Sequence, residues 1–173
     1  MPTYGCAMHP EIVTRRPGAC PECGLTLKVQ PVRHVEFECR LPRGTFEQAR
    51  EKVSAALKAE GFGVLTEIDV KDTLKKKIDV DFRRYLILGA CNPTLAYRAL
   101  MVDPQIGLLL PCNVVLQESP EGGVKVSVMD PRTMFTLSDN PGLLPVVHEA
   151  EQRLRRVIAA LGPGQLSYSA ERS

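Results

Sequence analysis

The sequence has little of what marks several common classes of protein. Trp is absent and aromatic residues make up 5% of the 173 residues, so a surface that stacks nucleic-acid bases is not expected. The formal net charge is only +2, which gives no electrostatic reason to expect binding to nucleic acid or to an anionic membrane. No run approaches the roughly 18 apolar residues of a membrane helix, and the first residues do not resemble a secretory signal. These absences predict a cytoplasmic protein that binds neither nucleic acid nor membrane.

What is present is a globular composition with unevenly placed cysteines. Hydrophobic residues make up 44% of the chain and charged residues 24%, and there are six cysteines. In a reducing cytoplasm cysteines indicate metal or thiol chemistry before disulfides. Three of them lie in the first 30 residues, where large aliphatic side chains are few. A unit below about 40 residues rarely folds by apolar burial alone, so a bound metal is expected to hold this segment together.

The composition changes near residue 31, and this sets the predicted domain boundaries. Residues 1–31 are predicted to form a small metal-binding module, residues 32–163 an independent domain, and residues 164–173 a flexible tail.

Four side chains near the start have the spacing of metal ligands. Cys6 and His9 are separated by two residues, and so are Cys20 and Cys23. The Pro17-Gly18 turn between the two pairs is expected to bring them together. Three thiolates and one imidazole make a closed tetrahedral set that is typical of structural zinc.

Two alternatives remain open for this segment. The thioether of Met8, beside His9, keeps copper(I) or another soft ion as an alternative to zinc. Cys20 and Cys23 also have the spacing of a redox dithiol. That motif opens a helix in thioredoxin-like proteins, however, whereas residues 24–29 alternate like a strand.

Residues 4–27 resemble the heavy-metal-binding domain that is fused to copper-transporting ATPases and to metal-efflux periplasmic adaptors. That family reads Tyr-x-Cys-Pro-Met-His-Pro and then Pro-Gly-x-Cys-Pro-x-Cys-Gly-Met-x-Leu. This chain departs from the pattern at Ala7, where the family has proline, and at Leu25, where it has methionine. The second departure removes a thioether and weakens the copper interpretation, while the four ligands stay in place.

The rest of the chain shows alternating and helical apolar periods that predict an α+β fold, an antiparallel-rich sheet covered by helices. Strands are predicted at residues 33–41, 62–68, 85–91 and 108–116 and in a hairpin partner after Gly123, and helices are predicted to begin near Thr45, Asp69, Asn92 and Pro145, with a short helix at residues 131–137. Val70, Leu74 and Ile78 are expected to face inward from the helix that Asp69 caps. The strand at 108–116 does not alternate, so we expect it to be central or buried on both faces.

A second candidate site follows from a repeated Cys-Asn pair. Cys91-Asn92 and Cys112-Asn113 each lie at or within an apolar strand, and neighbouring strands would bring the two thiols together as a soft metal site, a redox pair or a ligand pocket. The simpler interpretation is that both cysteines are core residues and that Asn92 is only a helix cap. Glu67, a carboxylate in an apolar strand, either faces solvent or lines a cleft.

Residues 34–150 resemble the family called domain of unknown function 302. Three runs carry the resemblance: GFGVLTEIDV at 61–70, LILGACNP at 86–93 and IGLLLPCNVV at 106–115. The resemblance implies an α+β fold related to the TATA-binding-protein fold, usually paired as a homodimer, and it assigns no activity.

The sequence therefore predicts a cytosolic metal-binding accessory protein that handles or senses a metal. Two other functions stay open: a thiol-dependent redox protein or enzyme that uses Cys91 and Cys112, and a ligand-binding module with a purely structural zinc. No phosphate-binding glycine loop or hydrolase triad supports an enzyme.

Overall fold

The computed structural model describes residues 3–9, 12–14, 16–30, 36–132, 138 and 140–162. The chain divides into two compact units, residues 1–34 and residues 35–173. Among the described residues, no helix has both the length and the apolar character needed to cross a bilayer. The predicted short helix at 131–137 and the predicted tail at 164–173 lie largely or wholly outside the described residues.

The N-terminal unit is built on a small antiparallel sheet. Its strands are β1 (Thr3–Gly5), β2 (Val13–Thr14) and β3 (Lys28–Gln30), in the order β2-β1-β3. A single bridge between Ala19 and Thr26 closes the loop that precedes β3. The buried apolar side chains of this unit, among those described, are Cys6, Cys20 and Leu27. Two of these three are predicted ligands, so little hydrocarbon is buried here.

The larger unit is a five-stranded antiparallel sheet with helices packed on it. The sheet has the order β4-β8-β7-β6-β5. Its elements are β4 (Glu36–Leu41), α1 (Phe46–Ala59), β5 (Gly63–Asp69), α2 (Val70–Ile78), β6 (Tyr85–Cys91), α3 (Pro93–Val102), β7 (Cys112–Glu118), β8 (Val124–Met129) and α4 (Leu144–Leu161). The predicted α+β class with an antiparallel-rich sheet is confirmed.

One face of the sheet carries the core. Leu88 on β6 pairs with Val114 on β7, which pairs with Val128 on β8, and all three side chains are fully buried. Helices α1 and α4 pack against each other and against this sheet. In β4, β6, β7 and β8, alternation places the apolar side chains beneath these helices, as the sequence pattern predicts, whereas every residue of β5 is exposed.

Local capping follows the sequence closely. Thr45 and Gln48 form a reciprocal capping box at the start of α1, Asp69 accepts from the Asp72 N–H at the start of α2, and Asn92 accepts from the Leu95 N–H at the start of α3. Each cap satisfies a backbone N–H that has no partner within its helix.

One prediction about burial and one strand boundary are wrong. Helix α2 forms where expected but buries no residue, and Ile78 is 63% exposed. The strand predicted at 108–116 begins only at Cys112, because residues Pro104–Leu109 form a 3-10 helix in which Leu108 is 87% exposed. Strand β7 is the middle strand of the sheet, which confirms the predicted central position, and its exposed Asn113 shows that it is not buried on both faces.

Candidate metal centre

The four predicted ligands of the N-terminal unit converge on one point. The Sγ atoms of Cys6, Cys20 and Cys23 and a ring nitrogen of His9 all lie within 4.8 Å of one another. Cys6 and Cys20 are buried, His9 is half-buried and Cys23 is exposed. The cluster therefore opens to solvent on the Cys23 side, where an ion can enter.

Two tight turns aim these side chains. In the first, the Ile12 N–H donates to the His9 carbonyl at 2.9 Å and the Cys6 N–H donates to the Ile12 carbonyl at 3.3 Å. In the second, the Gly24 N–H donates to the Cys20 carbonyl at 2.8 Å. Gly24 has a φ of +72°, a left-handed conformation that glycine adopts without steric cost. The spacing of two residues between Cys20 and Cys23 thus has its physical basis in this turn.

The spacing of the ligand atoms fits a tetrahedral ion. Bonds of about 2.3 Å to sulfur and about 2.05 Å to imidazole nitrogen give tetrahedral edges of roughly 3.8 Å between sulfurs and roughly 3.6 Å between sulfur and nitrogen. The Sγ atoms of Cys6 and Cys23 are 3.5 Å apart. His9 Nδ1 lies 3.8 Å from Cys6 Sγ and 3.6 Å from Cys20 Sγ. These three of the six ligand–ligand distances match tetrahedral edges to within a few tenths of an ångström, and the other three are no longer than 4.8 Å.

Electrostatics also favours a cation at this point. Burial opposes ionisation of Cys6, but hydrogen bonds from the Met8 N–H and from His9 outweigh it and lower the pKa of the Cys6 thiol to about 6. The Leu25 N–H favours the thiolate of Cys23, yet burial and the neighbouring thiols Cys6 and Cys20 outweigh that bond and raise its pKa. Without a cation, one ionised thiol therefore opposes ionisation of the next.

The second candidate site is only partly assembled. Cys91, Asn92 and Cys112 all line one cavity between the sheet, α3 and α4. Asn113 does not line this cavity, because it follows Cys112 on β7 and alternation turns it to the other, exposed face. Asn92 is the N-cap of α3, and its Oδ1 accepts a hydrogen bond from the Leu95 N–H at 3.1 Å.

The two cavity cysteines are neutral thiols at physiological pH. Burial raises the pKa of Cys112 to about 11, and the nearby Cys91 adds to this increase. Burial also raises the pKa of Cys91. A nucleophilic or redox thiol needs a lowered pKa. Burial, which raises the pKa of both thiols, therefore does not favour the thiol-redox alternative.

Glu67 lies in a different groove. Its carboxylate accepts from Arg50 Nη2 at 2.6 Å and from Arg50 Nε at 3.0 Å, and the two side chains line a polar groove that also includes Asp69. In the sheet register Glu67 pairs with Leu88, near the middle of β6, whereas Cys91 is at its end. Glu67 is exposed, as the solvent-facing interpretation predicts, and it is paired with a cation.

Sequence reasoning missed the small residues that make the cavity. Ala90, Ala96, Ala99 and Ala150 line it. On β6 the same face carries Leu86 and Leu88 before Ala90. The change from leucine to alanine along this face of β6 could have indicated the cavity, because a small side chain at the end of the strand leaves space that the leucines would fill.

Comparison with known proteins agrees with both units. A family model described as Heavy metal binding domain matches residues 3–28. A 25-residue stretch at the N-terminal end is 60% identical to a copper-transporting P-type ATPase of Rhizobium leguminosarum bv. viciae, and it covers 14% of this chain and 3% of that protein.

The larger unit matches a second family and a solved structure. The crystal structure of an uncharacterized conserved protein DUF302 from Bacillus stearothermophilus superposes with a TM-score of 0.69 and 28% sequence identity, and the match covers 75% of this chain and 99% of that chain. A family model described as Domain of unknown function DUF302 matches residues 37–161. The chain therefore belongs to the DUF302 family and carries a heavy metal binding domain at its N-terminal end.

Proposed function

We propose that this chain is a cytoplasmic accessory protein of metal handling or sensing, which binds one zinc ion through Cys6, His9, Cys20 and Cys23. The single observation that supports this most is the convergence of three thiols and one imidazole within 4.8 Å. A reducing cytoplasm suits the site because all three sulfurs must remain unoxidised to bind.

Charge favours zinc over copper(I) at this site. Three thiolates with Zn²⁺ carry a net charge of −1, whereas the same ligands with Cu⁺ carry −2. Because Cys6 and Cys20 are buried, the larger net charge costs more. The sequence departure at Leu25 points the same way, since the family methionine would have added a soft ligand near the site. The bound ion would tie the two turns together and neutralise most of the thiolate charge.

The test is metal stoichiometry of the full chain. Protein purified without added metal is expected to contain one zinc per chain, and Cys20→Ala is expected to lose it. Cys39→Ala is the matched control, because Cys39 is a buried cysteine on β4 outside the cluster. Copper in place of zinc would overturn the choice of metal, and equal zinc in both variants would overturn the site.

We further propose that the larger unit pairs as a homodimer through β5 and α2. Strand β5 is an edge strand with every residue exposed, and α2 buries none of its residues. Leu65 is 64% exposed and Ile78 is 63% exposed. An edge strand with exposed apolar side chains invites pairing with another strand, and a second copy of the chain supplies an identical edge.

Sedimentation equilibrium tests the dimer. Leu65→Asp is expected to give a monomer, whereas Leu108→Asp, at a still more exposed position on a different element, is expected to leave the dimer intact. A monomeric parent protein at micromolar concentration would overturn the proposal.

A further inference from the structure

The ligands of the N-terminal cluster differ in how far each is buried. Cys6 is 3% exposed and Cys20 is 2% exposed, whereas Cys23 is exposed. A thiolate that lets go of an ion needs water around it, because an unpaired charge in a buried position is costly. Release of Cys6 or Cys20 would leave such a buried charge, whereas the sulfur of Cys23 is released at the surface.

The local backbone makes the same distinction within one turn. The Cys20 N–H donates to the Leu25 carbonyl at 2.8 Å, and the Cys20 carbonyl accepts from the Gly24 N–H at 2.8 Å. These two bonds hold Cys20 in place. Cys23 lies at the end of the turn at residues 21–23, and residues 21–26 are all exposed. When the Cys23 side chain swings away from the cluster, no buried side chain within residues 21–26 has to move with it.

Charge decides between Cys23 and the half-buried His9 as the ligand that an incoming thiolate replaces. Three thiolates and one imidazole around Zn²⁺ carry a net charge of −1. Exchange of Cys23 for another thiolate keeps that charge, whereas exchange of the neutral His9 raises it to −2. Because two of the remaining ligands, Cys6 and Cys20, are buried, the larger charge is the more costly.

Starting from the proposed zinc site, we propose that Cys23 is its exchange ligand, at which zinc passes to and from thiol acceptors while Cys6, His9 and Cys20 hold the ion. The incoming thiol forms one sulfur–zinc bond, the bond between Cys23 Sγ and zinc breaks, and the proton of the incoming thiol passes through solvent to Cys23. No oxidation state changes. The zinc is then cargo, and the acceptor is a thiol of a small molecule or of another protein.

The test is rescue of ligand-deleted full-length chains by glutathione. In Cys23→Ala the vacated position faces solvent, so glutathione is expected to fill it. Native mass spectrometry is expected to show the chain with one zinc and one glutathione, and zinc affinity is expected to rise about tenfold or more on adding glutathione, since a fourth ligand completes the tetrahedron. Cys20→Ala is the matched control in the same turn. Its vacated position is buried, so glutathione is expected to restore no zinc.

A second arm replaces glutathione by a peptide with a single cysteine. Rescue of Cys23→Ala by both probes supports exchange with small and protein thiols alike. Rescue by glutathione alone supports exchange with small thiols.

A further measurement needs no variant. In the zinc-loaded parent chain, limiting N-ethylmaleimide is expected to modify Cys23 about tenfold or more faster than Cys6 or Cys20, because thiol reactivity follows exposure. Peptide mass spectrometry measures the three rates in one sample. This measurement keeps the proposal testable if Cys20→Ala does not fold.

Equal rescue of Cys23→Ala and Cys20→Ala, or modification of Cys6 or Cys20 before Cys23, would overturn the exchange role. So would a folded Cys23→Ala chain that binds no zinc even with glutathione, since Cys23 would then be needed to hold the ion. In each of these cases the parent chain still contains zinc, and the proposed zinc site stands. A parent chain without zinc would overturn the zinc site and this inference together.

Discussion

The two units of this chain are stabilised in different ways. The larger unit buries one continuous core, in which Leu57, Leu116 and Leu154 are completely inaccessible to solvent. In the N-terminal unit, Leu27 is the buried aliphatic side chain among the described residues, and the other buried apolar positions are two of the predicted ligands, Cys6 and Cys20. Fully burying one leucine contributes about 1.5–3 kcal/mol, whereas a structural zinc site contributes about 10–16 kcal/mol. With the proposed zinc bound, ligand spacing takes the place of a core in a unit of this size.

The largest expected effect comes from removing the metal. A strong chelator, or Cys20→Ala, is expected to raise amide hydrogen exchange across residues 16–30 by a hundredfold or more, because little hydrocarbon remains to hold these turns. Exchange in β6 and β7 is expected to stay unchanged, since their unit has its own core. Hydrogen exchange with mass spectrometry of the full chain measures both at once. Equal protection of residues 16–30 with and without metal would contradict the comparison.

The second prediction concerns the apolar core of the larger unit. Leu88 is fully buried, so Leu88→Ala is expected to lower the free energy of unfolding of this unit by about 2–5 kcal/mol. Metal stoichiometry is expected to stay at one per chain. Leu108→Ala, at an exposed position, is the control and should change stability by less than about 0.5 kcal/mol. Urea unfolding, with metal content measured in parallel, tests whether the two forms of stabilisation are independent.

A smaller effect is expected at the helix cap beside the cavity. Asn92→Ala removes the acceptor for the Leu95 N–H and is expected to cost about 0.5–2 kcal/mol. Asn92→Asp keeps an acceptor oxygen and should restore most of this loss. Asn113→Ala is the matched control on the exposed face of β7. A comparable loss in Asn113→Ala would show that the cap is not the source of the stability.

The smallest effect concerns pH. The hydrogen bond from Arg156 lowers the pKa of Glu60 below its ordinary value of 4.5, and burial only partly opposes this. A lowered folded-state pKa means that the ion pair stabilises the larger unit above pH 4.5 and is lost as pH falls through the folded pKa. Glu60→Gln is expected to remove this part of the acid sensitivity while changing unfolding little at pH 3. Urea midpoints measured between pH 3 and pH 7 test it, and an unchanged pH profile would contradict it.

Much of the secondary structure of the larger unit could be predicted, because helix caps and turns are set by neighbouring residues in the sequence. Asn92-Pro93 sets the start of α3 within one residue, and Glu121-Gly-Gly123 gives the turn between β7 and β8. Ile78 shows the limit of such signals: its helical spacing predicts burial, yet what covers a helix face depends on which elements lie opposite it. Leu108 and Leu109 show a second limit, since an apolar run has the same appearance in a strand and in a 3-10 helix.

By itself the sequence determined the α+β class and predicted the two-unit organisation and the four candidate ligands, because each depends on spacing along the chain: two residues between ligands, alternation in strands and caps at helix starts. Only the tertiary structure decided which of the other candidates meet. It placed Cys91, Asn92 and Cys112 at one cavity, turned Asn113 away and paired Glu67 with Arg50. Strand order and register set these outcomes, and they depend on contacts between residues far apart in the sequence, which no local pattern specifies.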